Sequence, residues 1–424
     1  MDFVSISPGG RCNRVSEGLE CFPKRSFSCI HVSDCRAMKV LHWYPNFLGG
    51  GGVANAVLGL ARAQAEVGAE VAIASAEVEG APLYQDMKQS LGNVRLFRWL
   101  PEWSLRAGRL VWRKIPKDAA GAIKEFKPDI VHVHGEFNPD NWHVPRIFDV
   151  PIVLSPHGAF HPVALRKSKS FQKNVYIVLA KRFLYRHVSL FHALCPAEAE
   201  HIGRALNVRN IYTLPQGPSV HVLSAIKERM IYGDDHDEVR FLFVGRLDIY
   251  TKGLDILIEA FAEVLQRLNG EARLVLVGPD QGGSLERLRD MALEAGCAER
   301  VDFVGAVAGE KVAEFMSKSD VYVHLSRHDV FGLSIAEALC LGKPVILSNR
   351  VGIVSYPEIT SLPHVKVIPP EKEAAVQAMV DFARQIGELR VVGMSCREDI
   401  QRFFDWKRIA EEHLTTYENC IKGA

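Results

Sequence analysis

The segment VYVHLSRHDVFGLSIAEALCLGKPVIL, residues 321–347, decides how the rest of the sequence is interpreted. Its apolar run Val321–Leu325 predicts a buried strand, the turn through Phe331-Gly332 leads into a short helix, and Pro344–Leu347 predicts the next strand. Such a junction leaves unpaired backbone N–H groups and the positive end of a helix dipole beside the loop. The segment therefore predicts one unit of a parallel α/β sheet with a loop suited to an anionic phosphate.

Two carboxylates frame this junction. Seven residues separate Asp329, which precedes the predicted helix, from Glu337, which lies inside it. We expect them to reach opposite ends of one elongated, phosphorylated ligand.

The same alternation of strands and helices extends over most of the chain and predicts two doubly wound domains, as expected for a chain of 424 residues. The predicted strands of the first half are Met38–Trp43, Val71–Ser75, Val94–Arg98, Ile130–His134, Ile152–Ser155, Leu190–Leu194 and Ile211–Leu214. Those of the second half are Arg240–Val244, Arg273–Val277, Val301–Val304, Val321–Leu325, Pro344–Leu347 and Val365–Ile368. In open α/β sheets, ligands bind at the carboxyl ends of the strands, so we expect a cleft between the domains.

The predicted boundaries follow from composition. We expect a disordered leader over residues 1–37, a first domain over 38–216, a linker over 217–238 and a second domain over 239–395. A last helix within 396–424 has no strand after it and is free to pack back on the first domain.

Composition excludes several classes of protein. A formal net charge of +1 argues against a globally basic nucleic-acid-binding protein, and no apolar run approaches the roughly 20 residues that span a bilayer. Of the nine cysteines, the five beyond Cys35 are scattered, which favours free thiols in a reducing cytosol, and the amino-terminal ones fit no zinc pattern. We therefore expect a cytoplasmic protein with no nucleic-acid partner and no metal site.

Three glycine-containing motifs follow predicted strands. The run Gly49–Gly52 permits positive φ angles and close backbone approach to a ligand, although it has neither dinucleotide-fingerprint nor Walker A spacing. Gly245-Arg246, with Lys252 six residues beyond Arg246, would place two cations where a leaving diphosphate is neutralised. His157-Gly158 offers a ring that can hydrogen-bond to a sugar hydroxyl, a weaker signal by itself.

Two basic stretches carry interleaved apolar residues. One runs from Arg166 to His187 and the other from Trp103 to Lys117. Solvated helix faces and basic amphipathic helices on an anionic membrane explain this pattern equally well, and each cation near such a surface contributes about 1 kcal/mol.

Taken together, the ordered motifs resemble those of the family 4 retaining glycosyltransferases (glycosyl transferases group 1), over about residues 38–417. The resemblance implies the GT-B fold of two facing Rossmann-like domains, and it assigns roles residue by residue. Catalytic contacts would come from His157, Arg246, Lys252, Asp329 and Glu337, with Glu337 on the ribose and the two cations on the departing diphosphate. Donor or acceptor contacts would come from Gly51, Gly52, Gly245, Val304, Phe331, Gly332 and Leu333.

The resemblance implies a hexose transfer from a nucleotide-sugar donor to a hydroxyl of a glycan or lipid-linked glycan, without cofactor or metal. With the basic stretches, it suggests polysaccharide assembly at the inner face of the cell membrane. One departure is Asp329, where the family usually has Glu. Two alternatives remain open at this point: a nucleotide-sugar 2-epimerase of the same architecture, and an inactive subunit that binds sugar nucleotides.

Overall fold

A computed structural model describes the protein over residues 36–77, 90–100, 102–106, 110–166, 170–227, 238–307 and 309–423. Nearly all of the predicted leader, residues 1–37, lies outside these ranges.

The strands of the described chain group into two large sheets and one hairpin. They are β1 (Lys39–Trp43), β2 (Glu70–Ala76), β3 (Arg95–Trp99), β4 (Glu102–Arg106), β5 (Leu110–Lys114), β6 (Ile130–His134), β7 (Ile152–Ser155), β8 (Val188–Ala193), β9 (Ile211–Thr213), β10 (Val239–Val244), β11 (Ala272–Val277), β12 (Val301–Gly305), β13 (Val321–His324), β14 (Val345–Ser348) and β15 (Val365–Ile368).

The helices connect these strands and cover the two large sheets. They are α1 (Gly52–Glu66), α2 (Lys117–Glu125), α3 (Val144–Ile147), α4 (Pro162–Arg166), α5 (Ser170–Phe183), α6 (Pro196–Leu206), α7 (Val220–Lys227), α8 (Ile249–Lys252), α9 (Leu254–Arg267), α10 (Ser284–Glu294), α11 (Gly309–Lys318), α12 (Leu333–Cys340), α13 (Pro357–Thr360), α14 (Lys372–Arg384), α15 (Ile386–Phe403) and α16 (Trp406–Lys422). Short 3₁₀ turns link several of them.

Each large sheet belongs to one domain and is parallel throughout. The first has the order β3-β2-β1-β6-β7-β8-β9 and the second the order β12-β11-β10-β13-β14-β15. In register, Leu41 pairs with Val131 in the first sheet and Phe241 with Val321 in the second. This confirms the prediction of two Rossmann-like domains, and it places one switch in strand order between β1 and β6 and the other between β10 and β13.

Both faces of each sheet are buried. On β10, Phe241 and Phe243 pack into one hydrophobic cluster while the intervening Leu242 packs into the cluster on the opposite face. Successive strand residues point to opposite faces, and helices cover both, which is why these strands read as continuous apolar runs.

The chain crosses between the domains twice, and the crossings touch. Trp406, the first residue of α16, donates its indole N–H to the carbonyl of Pro218 at 2.8 Å. A Cβ on Gly217 would lie 2.7 Å from the Trp406 ring, and one on Gly59 of α1 would lie 2.5 Å from it. Helix α16 then packs along α1, with Tyr417 fully buried in the first domain.

The predicted linker, residues 217–238, is partly helical instead. Helix α7 occupies Val220–Lys227, and its Val222 and Ala225 are buried in a cluster of the second domain. Residues 228–237 lie outside the described ranges. The linker prediction was therefore wrong for α7, because Val222 and Ala225 supply an apolar face that the flanking prolines and acids obscured.

The basic stretch from Trp103 to Lys117 is not an amphipathic helix. Strands β4 and β5 form an antiparallel hairpin there, with Trp103 paired with Arg113, and helix α2 begins only at Lys117. The other basic stretch is largely helical, in α4 and α5. No helix in the described part of the chain is both long and apolar enough to cross a bilayer.

Candidate active site

The loop after β13 is held in a conformation that requires glycine. Gly332 precedes α12 with φ at +85°, and a Cβ there would lie 2.6 Å from Ile335 and 3.1 Å from Val351. The first backbone N–H groups of a helix have no partner within it, so those of Leu333 and Ser334 can meet an anion. Phe331 is buried beneath the loop and anchors it.

Lys252 and Asp329 are in direct contact, a pairing that sequence spacing did not predict. The Lys252 ammonium lies 2.5 Å from Asp329 Oδ2, and His324 Nε2 lies 3.1 Å from the same oxygen. Burial alone would raise the pKa of Asp329, but the ammonium and the ring hold it well below its usual range. Asp329 is therefore ionised and paired with the Lys252 ammonium. Its expected contact with the ligand stays a prediction.

Lys252 owes its position to a tight turn. It is the last residue of α8, and Gly253 follows in the left-handed region with φ at +64°. A Cβ on Gly253 would lie 2.2 Å from the carbonyl oxygen of Leu325, at the end of the strand that leads into the Asp329 loop. Any other residue would push α8 away from that loop.

Arg246 follows β10 and is exposed. Its guanidinium donates to Gln281 Oε1 at 3.2 Å, on the loop after β11. The two predicted cations therefore have different surroundings: Lys252 is mostly buried in an ion pair, whereas exposed Arg246 bonds to a neutral amide and can turn to another partner.

Glycines line the carboxyl ends of three neighbouring strands of the second sheet. Gly245 donates its N–H to Val277, and Gly278 donates to the carbonyl of Gly305. A Cβ on Gly278 would lie 1.8 Å from the carbonyl oxygen of Gly245, so the backbones touch. Val304, one of the predicted donor or acceptor contacts, lies half-buried at the end of β12. Sequence reasoning missed Gly278, although it follows an apolar strand just as Gly245 does.

Glu337 faces the crossing between the domains. Its Oε1 accepts a hydrogen bond from the backbone N–H of Ser219 at 3.0 Å, and burial raises the pKa of the carboxyl group. The predicted ribose contact thus lies on α12 beside the entrance to α7, and one of its oxygens fixes that segment. Sequence spacing gave no indication of this link.

The first domain meets the Asp329 loop through His157-Gly158. Gly158 has φ at +82°, and a Cβ there would lie only 1.8 Å from Val330 Cγ2. Nearby, Cys195 donates its thiol to the carbonyl of Val330 at 3.3 Å. His157, itself left-handed at φ +50°, therefore lies one residue from the contact between the domains. Strained backbone of this kind is concentrated at functional sites.

A buried carboxyl group supports this loop. Glu198 Oε1 accepts the Gly158 N–H at 2.6 Å and Oε2 accepts the Leu194 N–H at 2.8 Å. Burial raises the pKa of Glu198 to about 7, against the opposing effect of the two backbone donors. Sequence analysis did not single out Glu198, and an acid in the first turn of a helix gave no sign of this role.

The glycine run of the first domain opens onto empty space. Gly51 precedes α1 with φ at +90°, and a Cβ on either Gly51 or Gly52 would meet no atom within 4 Å. The loop has room for a ligand at the amino end of a 15-residue helix.

Among the described residues, the only group of side chains with metal-binding spacing lies in the first domain, whereas Lys252 and Arg246 belong to the second. Ring nitrogens of His42, His132 and His134, buried in the first domain, lie within 4.8 Å of one another.

Two family models match the chain in succession. Residues 50–220 match Glycosyltransferase Family 4, and residues 225–381 match Glycosyl transferases group 1. The uncharacterized glycosyltransferase MJ1607 of Methanocaldococcus jannaschii is 28% identical over 197 residues, which are 46% of this chain and 49% of that protein. The chain thus spans about half the length of that relative.

Other similarities extend further. The phosphatidyl-myo-inositol mannosyltransferase of Mycobacterium leprae is 25% identical over 75% of this chain and 84% of its own length. Sucrose-phosphate synthase from Thermosynechococcus elongatus superposes with a TM-score of 0.66 at 20% identity, over 91% of this chain and all of that one. Anabaena HepE in complex with UDP and glucose gives 0.66 at 19% identity, over 90% of this chain and all of HepE. The chain therefore belongs to the family 4 glycosyltransferases (glycosyl transferases group 1), and its two Rossmann-like domains have the GT-B fold.

Proposed function

We propose that the protein is a retaining hexosyltransferase that moves a sugar from a nucleotide-sugar donor to a hydroxyl of a glycan or lipid-linked glycan. The observation that carries the proposal is the Lys252–Asp329 pair, because Asp329 lies in the loop that leads into the amino end of α12 and touches the His157-Gly158 loop. A donor bound there would meet cations from one domain and a ring from the other.

The donor diphosphate would replace Asp329 as a partner of Lys252, or share the ammonium with it. Arg246 would leave the neutral Gln281 amide for phosphate oxygens, because charge-assisted hydrogen bonds are roughly twice as strong as neutral ones. The N–H groups of Leu333 and Ser334 would add neutral donors. That HepE was solved with UDP and glucose supports a nucleotide-sugar donor.

The chemistry needs positive charge where the leaving group forms. As the glycosidic bond breaks, charge collects on the departing diphosphate, and fixed cations stabilise that state more than the ground state. Lys252 and Arg246 would supply the charge, so we propose that turnover needs no metal ion. Retention of anomeric configuration is the part of the proposal that rests on the family resemblance.

An exposed apolar stripe favours an acceptor at a membrane surface. On α5, Phe171 is 78% and Val178 is 68% exposed, and Val175 lies between them on the same face. Lys181 and Arg182 follow at the end of this helix and are exposed. An apolar stripe with adjacent cations suits the boundary between headgroups and acyl chains. The lipid named in the mycobacterial relative, a phosphatidyl-myo-inositol mannosyltransferase, agrees with such an acceptor.

A ligand screen tests the donor. We expect one of UDP-, GDP- and ADP-hexoses to raise the melting temperature, because a ligand at 100 times its Kd adds about 2.7 kcal/mol of stability. The increase should vanish in Lys252→Ala. With that donor and glycan or lipid acceptors, NMR should show a product of unchanged anomeric configuration. Interconversion of the donor with no acceptor present would favour the epimerase, and stabilisation by none of the donors would contradict the proposal.

A flotation assay tests the membrane surface separately. Wild-type protein should float with vesicles that contain anionic lipid, and Phe171→Ser/Val178→Ser should not. Equal flotation of both proteins would remove the support for a membrane-bound acceptor while leaving the transferase activity untouched.

A further inference from the structure

Beneath the active site, the first domain contains a cluster of buried histidines that the proposed function does not use. They come from three strands, β1, β6 and β8, and from the last helix, and they hydrogen-bond to one another and to neighbouring side chains. The cluster comprises His42, His132, His134, His192 and His413, with Gln64, Ser155 and Tyr417. Its hydrogen bonds can be followed one by one, since a neutral imidazole has one donor and one acceptor nitrogen.

The direction of the first bonds is set by a backbone carbonyl. His192 Nε2 lies 3.0 Å from the oxygen of Leu214, which can only accept, so Nε2 carries the proton. Burial lowers the pKa of His192 to about 4, so the ring is neutral and its Nδ1 is an acceptor. The hydroxyl of Ser155, 2.7 Å away, must therefore donate to Nδ1.

The same logic continues through β6 to the last helix. Ser155 Oγ has used its proton, so it accepts from His132 Nε2 at 2.6 Å. Burial, together with the neighbouring histidines, lowers the pKa of His132 well below its usual value, which leaves Nδ1 as an acceptor. Tyr417 donates its hydroxyl proton to that Nδ1 at 2.6 Å.

Gln64 connects Tyr417 to the other half of the cluster and keeps the same order of donor and acceptor. The oxygen of Tyr417 accepts from the amide nitrogen of Gln64 at 3.5 Å, the longest bond in the series. The amide oxygen of Gln64 then faces His42 and accepts from its Nε2 at 2.8 Å. His42 Nδ1 in turn accepts from His134 Nε2 at 2.9 Å.

The series ends at the active site. His134 Nδ1 is left as an acceptor and takes the Nε2 proton of His157 at 3.1 Å. Burial lowers the pKa of His157 to about 3, so this ring too is neutral and its Nδ1 carries only a lone pair. His157 is half-buried and adjoins Gly158, which touches Val330 of the second domain.

We propose that this series of hydrogen bonds, from Leu214 to His157, fixes the tautomer of His157. Its unprotonated Nδ1 then accepts a hydrogen bond from a hydroxyl of the bound sugar. We name the series the histidine relay. The tautomer stands on the hydrogen bonds between these buried, neutral rings, and the sugar contact rests on the proposed function. Gln64 and Tyr417 are positioning residues, because they act on His157 only through other side chains.

The relay connects the last helix, α16, to the ring of His157. Tyr417 lies on α16, which crosses from the second domain, so the relay is complete only when α16 is packed on the first domain. A reversed relay would present an N–H at His157, which suits a phosphate or carbonyl oxygen rather than a donated hydroxyl proton. The direction of the hydrogen bonds in the relay therefore determines whether His157 pairs with a donor or an acceptor group of the ligand.

NMR of protein labelled with ¹⁵N-histidine tests the relay without substrate. Bare and protonated ring nitrogens have distinct ¹⁵N shifts, and His157→Gln identifies the His157 signals by their loss. We expect a bare Nδ1 and a protonated Nε2 for His157 in the wild type. Gln64→Leu should give a mixture of tautomers, whereas Gln64→Glu, which keeps an acceptor toward His42, should restore the single tautomer.

His413→Gln is the matched control. His413 is buried beside His192, with ring centroids 4.7 Å apart, but it bonds to Tyr212 and is not in the relay. Its substitution should leave the His157 tautomer unchanged. A protonated Nδ1 in the wild type, or an unchanged tautomer in folded Gln64→Leu, would overturn the relay. So would a stoichiometric metal on His42, His132 and His134, because coordination would take ring nitrogens from the relay.

Kinetics test the sugar contact separately. In Gln64→Leu, kcat/KM for the donor should fall roughly 3- to 10-fold, the worth of one neutral hydrogen bond, and Gln64→Glu should recover it. The expected tautomers with unchanged kinetics would overturn the sugar contact. If no donor is turned over by the wild type, the proposed function fails, while the NMR result still decides the relay.

Discussion

Removing the ammonium of Lys252 should destabilise the protein and also lower its turnover, by two separable effects. The ammonium lies 2.5 Å from Asp329 Oδ2, and the two side chains are only 13% and 20% exposed. Breaking a buried pair by removing one partner leaves the other charge uncompensated, at a cost of about 3–5 kcal/mol. In Lys252→Ala, Asp329 keeps only His324, whose own pKa is lowered by burial. We therefore expect the free energy of unfolding to fall by about 3–5 kcal/mol.

The double variant Lys252→Met/Asp329→Leu separates stability from function. Replacing a buried ion pair by apolar groups is often neutral or stabilising, so most of the lost stability should return. Turnover should not return, because the donor diphosphate has lost one of its two proposed cations. Removing one transition-state donor typically lowers kcat by about 10²–10³.

Urea denaturation of the single and double variants measures the coupling, and donor-saturated kinetics measure turnover. The matched control is Lys318→Ala, which breaks an exposed pair with Glu314 of similar length, 2.6 Å, on α11. That change should cost less than about 1 kcal/mol and leave turnover unchanged. Additive effects of Lys252→Met and Asp329→Leu on the free energy of unfolding would refute the reasoning. So would wild-type turnover in the double variant.

Three further predictions concern the rest of the site. Arg246→Ala should lower kcat by about 10²–10³ in steady-state assays, and a loss of less than a few-fold would contradict its role at the leaving group. Gly158→Ala should lower kcat/KM at least roughly 10-fold, because the new Cβ would overlap Val330 and the domains could not meet, while left-handed strain alone costs about 1–2 kcal/mol. Gly270 also has a positive φ, +86°, but a Cβ there would meet no atom within 4 Å. Gly270→Ala therefore carries the backbone strain without the clash, and a similar loss of kcat/KM in both variants would contradict the clash at Gly158. Glu198, whose pKa is raised to about 7, keeps its proton in the folded state where the unfolded chain has lost it. Unfolding free energy should therefore decrease as pH rises from about 5 to 7, a slope that Glu198→Gln should remove in denaturation measured across that range.

The fold could be predicted from the sequence because its signals are local. Apolar runs such as Phe241–Val244 and Val321–Leu325 end in glycine or polar loops, and each lies in a buried strand of the structure or overlaps one. The β4–β5 hairpin carried such a signal in the alternation of Trp103 and Leu105, but the interleaved arginines were interpreted as a helix face. Helix α7 was obscured by its polar neighbours.

The site was predictable only where its residues share one segment. Asp329, Gly332 and Leu333 lie together because they are adjacent in sequence. The contacts of Lys252 with Asp329, and of Gly158 with Val330, join residues 77 or more positions apart. Such contacts depend on how strands order in a sheet and how the domains meet, and spacing along the chain carries no record of either.

The most direct test is a crystal structure with the nucleoside diphosphate that stabilises the protein. The account predicts that a diphosphate oxygen lies about 2.7–3.0 Å from Lys252 Nζ, with the Arg246 guanidinium turned from Gln281 to the same group. A diphosphate bound elsewhere, with the Lys252–Asp329 pair unchanged and Arg246 still on Gln281, would contradict it.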